Sequence, residues 1–105
     1  MLQAFKLFSD QLLCTESRLQ EVWPVDPATV NHVIAPYRIC PLGAHIDHQG
    51  GHDLGRTINT GTVLSYAPQD EPRIELLSTD FDSMADFTIG AAVEKSHWSR
   101  YAQAA

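Results

Sequence analysis

Ala35-Pro36-Tyr37-Arg38-Ile39-Cys40-Pro41-Leu42-Gly43-Ala44-His45-Ile46-Asp47-His48-Gln49-Gly50-Gly51 is the stretch on which both the fold and the site turn. It follows an apolar run, Val33-Ile34-Ala35, that reads as a strand end. Within seventeen residues it gathers one arginine, two histidines, one aspartate and three glycines. A strand that runs into a loop of polar donors and acceptors spaced by glycines is a common way to build a small-molecule site, because rigid elements hold functional loops. The glycines at 43, 50, 51 and 55 point to unusual backbone angles or to close approach of a ligand.

Upstream of this stretch, residues 3 to 22 have helical periodicity. Phe5, Phe8, Leu12, Cys14, Leu19 and Val22 fall roughly on one face, and Asp10, Glu16, Arg18 and Glu21 mostly on the other. Trp23-Pro24 ends the helix, since a residue before proline avoids the helical region. Asp26-Pro27 gives a turn, and Val30 to Ala35 a short strand. The motif then forms a loop over residues 36 to 55.

Downstream, Thr57 to Tyr66 is rich in β-branched residues and reads as a strand. Pro68 to Pro72 is a turn. Arg73 to Ser78 returns as a strand with Ile74 and Leu76 on one face and Glu75 and Leu77 on the other. Phe87-Thr88-Ile89 is a candidate third strand, and Glu94 to Ala105 a helix without a glycine or proline terminator.

The central stretch resembles the sugar-recognition motif of galactokinase-type GHMP kinases, G-R-x-N-L-I-G-E-H-x-D-Y-x-G-G. Arg38, Leu42-Gly43, His45, Asp47 and Gly50-Gly51 fall on motif positions. Tyr37, Pro41 and His48 depart from it, and Ala44 stands where galactokinases carry glutamate. The whole block is closer to galacturonokinases, which phosphorylate galacturonic acid at C1. Weaker likeness continues through Leu76-Leu77-Ser78 with Phe81, and through His97 to Ala102, so it covers about residues 30 to 105. The resemblance implies an α+β fold, a mixed sheet with helices similar to the ribosomal S5 domain 2-like fold. It further implies that residues 1–105 are one partial domain, the N-terminal portion of a kinase.

The same resemblance implies roles. Arg38 would lie near the sugar C1 hydroxyl and the transferring phosphate, where a guanidinium stays charged and bonds two oxygens. A salt bridge to Asp53 is the plainer alternative. Asp47 would accept ring hydroxyls, or else bond its own turn backbone. His45 would orient a hydroxyl or buttress Asp47, or else cap backbone groups. Gly50 and Gly51 would admit the sugar, or simply turn the chain. Ala44 has a physical reading: the motif glutamate faces C6, and a uronic acid carries a carboxylate there. Two carboxylates in contact repel unless one is protonated, so a small neutral residue favours the uronate. Alternatively, Ala44 is only a small residue in a tight turn.

Mg-ATP is the cofactor the resemblance implies for a whole enzyme. Its glycine-rich loop, P-x-x-x-G-L-S-S-S, and the later motif carrying the catalytic aspartate do not occur in these 105 residues. The expected function is therefore recognition of a hexuronic acid or hexose for phosphorylation at C1, with the chain alone inactive. A complementary C-terminal kinase part is an expected partner. The alternative is a non-catalytic module, derived from a kinase, that senses sugar or binds a partner.

Composition narrows the remaining classes. A formal net charge of −6 with seven scattered Lys and Arg argues against nucleic acid and anionic membrane surfaces. No apolar run approaches the ~20 residues of a membrane span. The first residues lack the basic and apolar regions of a signal peptide. Cys14 and Cys40 read as reduced thiols, so a cytoplasmic location is expected. His45, Asp47, His48, His52 and Asp53 invite a zinc reading. Gly43 occupies a position where the H-x-H-x-D-H pattern needs histidine, and Gly50 and Gly51 disfavour a helix bringing His48 to His52. No metal site is expected.

Overall fold

The computed structural model describes the backbone of residues 2–93 and 96–105, and the side chains of all of these except 2–7 and 47. The elements run α1 (Leu2–Val22), β1 (Asn31–Leu42), β2 (Leu54–Tyr66), β3 (Arg73–Ser78), β4 (Ser83–Thr88) and a single helical turn, α2 (Arg100–Gln103). The class is α+β. The chain forms two compact units, Met1–Ala67 and Pro68–Ala105.

In the first unit β1 and β2 pair antiparallel, from Asn31 opposite Tyr66 to Leu42 opposite Leu54, and α1 packs on β2. The helix turns Phe8, Gln11, Leu12, Thr15 and Leu19 inward, at the i, i+3, i+4 spacing of one helical face. Cys14 and Val22, expected on that face, are exposed, and Phe5 has its side chain outside the described ones. A chain of hydrogen bonds joins helix to sheet. The Thr15 hydroxyl donates to the Leu12 carbonyl at 3.0 Å, so Ser65, 2.7 Å away, must donate to Thr15. The only proton of Ser65 is then spent, and His32 Nδ1, 2.9 Å from its oxygen, must be the donor.

Strand β1 runs further than the expected Val30–Ala35, through the first part of the motif. Pro36 and Pro41 suggest a break, yet β1 pairs with β2 alone among the described residues. On an edge strand proline gives up no hydrogen bond that a second neighbour would need. The pairing is irregular in two places, between Pro36 and Arg38 and between Ile39 and Leu42. In the second, Cys40 and Pro41 stand against Gly55 alone, which is a bulge on β1.

In the second unit β3 and β4 form an unbroken ladder from Arg73 opposite Thr88 to Ser78 opposite Ser83. The connection, residues 79–82, ends on Asp82 at φ 45°, and the Ser78 hydroxyl accepts the Phe81 N–H at 3.3 Å. Such left-handed residues close short hairpin loops, and aspartate tolerates them better than most. Ile74, Leu76, Ala85 and Phe87 share one face, where Ala85 is buried and Leu76 and Phe87 half-buried. Trp98 stacks on Phe81 at 5.6 Å and donates to the Ser83 hydroxyl at 3.2 Å.

Three expectations need correction. The sheet is not mixed: both pairings are antiparallel, in two separate two-stranded sheets. Parallel neighbours need a crossover of about a dozen residues or more, usually an α-helix, and each pair here is joined by a hairpin connection without one. The last strand is Ser83–Thr88 rather than Phe87–Ile89, because pairing with β3 recruits residues of weak intrinsic propensity. The last helix covers Arg100–Gln103 only, although its expected start, Glu94 and Lys95, lies outside the described residues. Ser99 is 1% exposed and its hydroxyl bonds His97 Nδ1 and Gln103 Nε2, both at 2.7 Å, which ties down the start of that turn.

Candidate functional site

The motif residues occupy one end of the β1–β2 hairpin. Residues 43–53 form its loop, and Arg38 lies on β1 opposite Thr57, short of that loop. Two glycines make the loop possible. Gly43, at φ 87°, lies against the returning chain so closely that a Cβ would fall 2.3 Å from the His52 carbonyl oxygen. Gly50, at φ 77°, follows the 3-10 turn Asp47–Gln49. The Ile46 carbonyl accepts N–H groups from Gln49 at 3.0 Å and from Gly51 at 3.1 Å. A left-handed glycine, with the next N–H reaching five residues back, resembles the Schellman ending of a helix, here applied to a short 3-10 turn.

Gly51 has a different reason to be glycine. A Cβ there would meet the Ile46 side chain at 2.8 Å and the Ile46 oxygen at 3.0 Å. The turn role of Gly50 and Gly51 is therefore visible in the backbone. Ile46 was not singled out from the sequence, though it organises the loop through its carbonyl and side chain. An isolated apolar residue between polar ones in the motif was the available signal.

Arg38 is exposed, and among the described residues it forms no ion pair, so the salt bridge to Asp53 is absent. Its stem and Nη1 pass Gly55, both 3.9 Å from where a Cβ would stand. Gly55 lies between Arg56, opposite Ile39, and Leu54, opposite Leu42. The arginine therefore leans from its own rung towards the loop. Ala44, His45, His48, His52 and Asp53 are exposed, and the Nε2 atoms of Gln49 and His48 are 3.3 Å apart. The Asp47 side chain lies outside the described ones. Tyr37 is 51% exposed, and its hydroxyl is 3.1 Å from that of Thr62.

The arrangement presents an exposed guanidinium and several exposed imidazoles at a glycine-braced hairpin end. Such groups can donate hydrogen bonds to anionic or hydroxylated ligands. Among the described residues no three His, Cys, Asp or Glu side chains gather as metal ligands. No helix of the described residues is long and apolar enough to cross a membrane.

Comparison with known proteins bears on this site. No family model and no solved structure matches the chain. It is similar to a galacturonokinase of Arabidopsis thaliana, 40% identical over 98 residues, covering 76% of this chain and 23% of that protein. The chain thus spans about a quarter of the length of that relative. A likeness of this extent gives the chain a sugar-kinase-like origin.

Proposed function

We propose that the chain recognises a hexuronic acid, galacturonate foremost, through the β1–β2 hairpin end, as the sugar-binding part of an ATP-dependent kinase acting at C1. The observation that carries this reading is the exposed Arg38, without an ion pair among the described residues, leaning towards a loop whose residue 44 is alanine. Arg38 meets the C1 oxygen and the incoming phosphate, where its fork can hold two oxygens. Asp47 accepts hydrogen bonds from ring hydroxyls and His45 orients one of them. Gly50 and Gly51 keep the loop clear of side chains. Ala44 faces the C6 carboxylate and brings no charge against it. The galacturonokinase likeness supports the same substrate class. The 105 residues hold no glycine-serine phosphate loop, so ATP and its magnesium have no seat among them.

The test is Ala44→Glu, titrated with galacturonate and with galactose. Two unit charges in contact at ~4 Å interact by about 1 kcal/mol in water and about 4 kcal/mol near a protein surface. Position 44 is exposed, so the lower part of that range applies. The preference for galacturonate over galactose is expected to fall roughly tenfold, each ~1.4 kcal/mol being a factor of ten. Galactose has a neutral hydroxyl at C6 and is expected to bind no worse. An unchanged ratio would mean that residue 44 does not face C6.

A further inference from the structure

The glycines of the hairpin end divide by cause. Gly43 and Gly50 have positive φ, and Gly51 has the Ile46 side chain where its own would stand. Further along β2, Gly61 has no room at all, since a Cβ would lie 2.4 Å from the Ala35 carbonyl oxygen. Gly55 has neither cause. Its φ is not in the left-handed region, and it sits within a strand, where glycine weakens pairing and offers nothing to pack. Around its missing Cβ stand Arg38 Cδ, Arg38 Nη1 and the Ile39 carbonyl oxygen, each at 3.9 Å.

We propose that Gly55 is a positioning residue for Arg38: its bare backbone is the floor along which the arginine lies, aiming the guanidinium at the loop. The inference rests on the sugar-site reading given above. At 3.9 Å an added methyl makes ordinary van der Waals contact, so alanine fits beneath the arginine. A branched side chain adds atoms beyond Cβ, into the space that Cδ and Nη1 occupy. The guanidinium must then leave this path, and a side chain with several rotatable bonds has many others to take. Fixed direction is what a bidentate contact needs, because a planar fork binds two oxygens only when aligned with them.

The strand itself sharpens the discrimination. Valine is a better strand residue than glycine. If Gly55 served only the backbone, replacement by valine would leave sugar binding alone. If it serves Arg38, stability and binding move in opposite directions.

The experiment compares Gly55→Ala and Gly55→Val, each alone and combined with Arg38→Gln. Galacturonate binding and the Arg38 Nε–H resonance are followed by NMR, and stability by thermal melting. In Gly55→Val the resonance is expected to shift, and affinity to fall about tenfold, the size of a weakened charged hydrogen bond. In Gly55→Ala the loss is expected to stay below about threefold, in keeping with simple contact. In the Arg38→Gln background valine is expected to add less than about twofold, because the two changes act through one group. An unmoved resonance, or an equal loss without the arginine, would overturn the proposal. A parent chain that leaves galacturonate unbound would overturn the sugar assignment instead, and the resonance would then decide the positioning claim by itself.

Discussion

The two hairpins obey the same pairing rules and reach different ends. Hairpin β3–β4 is regular: six rungs in register, a four-residue connection, and an apolar face beneath Trp98. Hairpin β1–β2 has longer strands, two register shifts and an eleven-residue loop, residues 43–53. Its strands leave Val33 46%, Tyr37 51%, Ile39 50% and Leu64 41% exposed. The irregular hairpin carries the motif, and the regular one carries none of the candidate site residues. Bulges and long loops re-aim side chains that a regular ladder would hold flat, and here the irregularity coincides with the motif.

A matched pair of glycines tests that contrast most severely. Gly43 in the first hairpin and Gly90 after the second have nearly equal φ, 87° and 84°. Around Gly90 nothing lies within 4 Å of an added Cβ, whereas at Gly43 the His52 oxygen lies at 2.3 Å and the Asp53 Cα at 2.7 Å. Both alanine variants carry the left-handed penalty of ~1–2 kcal/mol. Gly43→Ala adds a backbone collision, worth another ~1–3 kcal/mol by analogy with overpacking. Urea unfolding of the two variants checks the difference. Equal losses would mean that the loop gives way freely and that its closure is not braced.

The next contrast concerns what each hairpin rests on. Ser65→Ala removes the link among His32, Ser65 and Thr15 that fastens β1 and β2 to α1. A half-buried hydrogen bond contributes ~0.5–1.5 kcal/mol, so a loss of about 1 kcal/mol is expected. Hydrogen exchange should quicken in α1, β1 and β2 and stay unaltered in β3 and β4. Uniform quickening would show that the two units unfold as one.

The sequence disclosed the regular hairpin better than the irregular one. Alternation placed β3 at Arg73–Ser78 with its faces correctly assigned. The expected strand stops at Ala35, whereas β1 runs to Leu42, and its place at a sheet edge lets it carry Pro36 and Pro41. No local signal states that a strand is at an edge, because that depends on partners far along the chain. The motif was legible in the sequence, and the positive φ of Gly43 and Gly50 agrees with the expectation of unusual backbone angles at its glycines. Two contributions were not legible. The packing of Ile46 against Gly51 and the path of Arg38 over Gly55 arise only when the loop closes and the bulge sets register. Helix α1 failed in detail for a related reason: its inward face is chosen by where β2 lies, and Thr15 turns in to meet Ser65 while Cys14 turns out.

The smallest expected effect belongs to the regular hairpin and the charged clasp that crosses it. Arg73 Nε donates to Asp86 Oδ1 at 2.6 Å while Nη2 donates to the other carboxylate oxygen, across β3 and β4. The hydrogen bond from Arg73 holds the Asp86 carboxyl below the usual carboxylate value against an opposing desolvation, with the arginine's charge adding to the lowering. The arginine is raised in turn, chiefly by the same hydrogen bond, and stays charged throughout the accessible range. Because the folded value of Asp86 lies below the unfolded one, the pair contributes fully above the unfolded carboxylate value of ~3.9. Its contribution is lost as pH falls through the lower folded value. Asp86→Asn is therefore expected to lower the melting temperature slightly at pH 7, with the gap to the parent chain closing as pH falls below the unfolded carboxylate value. Both side chains are about half exposed, at 42% and 51%, which keeps the effect small and sensitive to salt. In ~1 M salt, where the screening length falls to about 3 Å, the gap at neutral pH should shrink but not vanish, since a contact pair lies within that length. A gap that persisted unchanged in acid would assign the loss to the altered side chain's packing rather than to its charge.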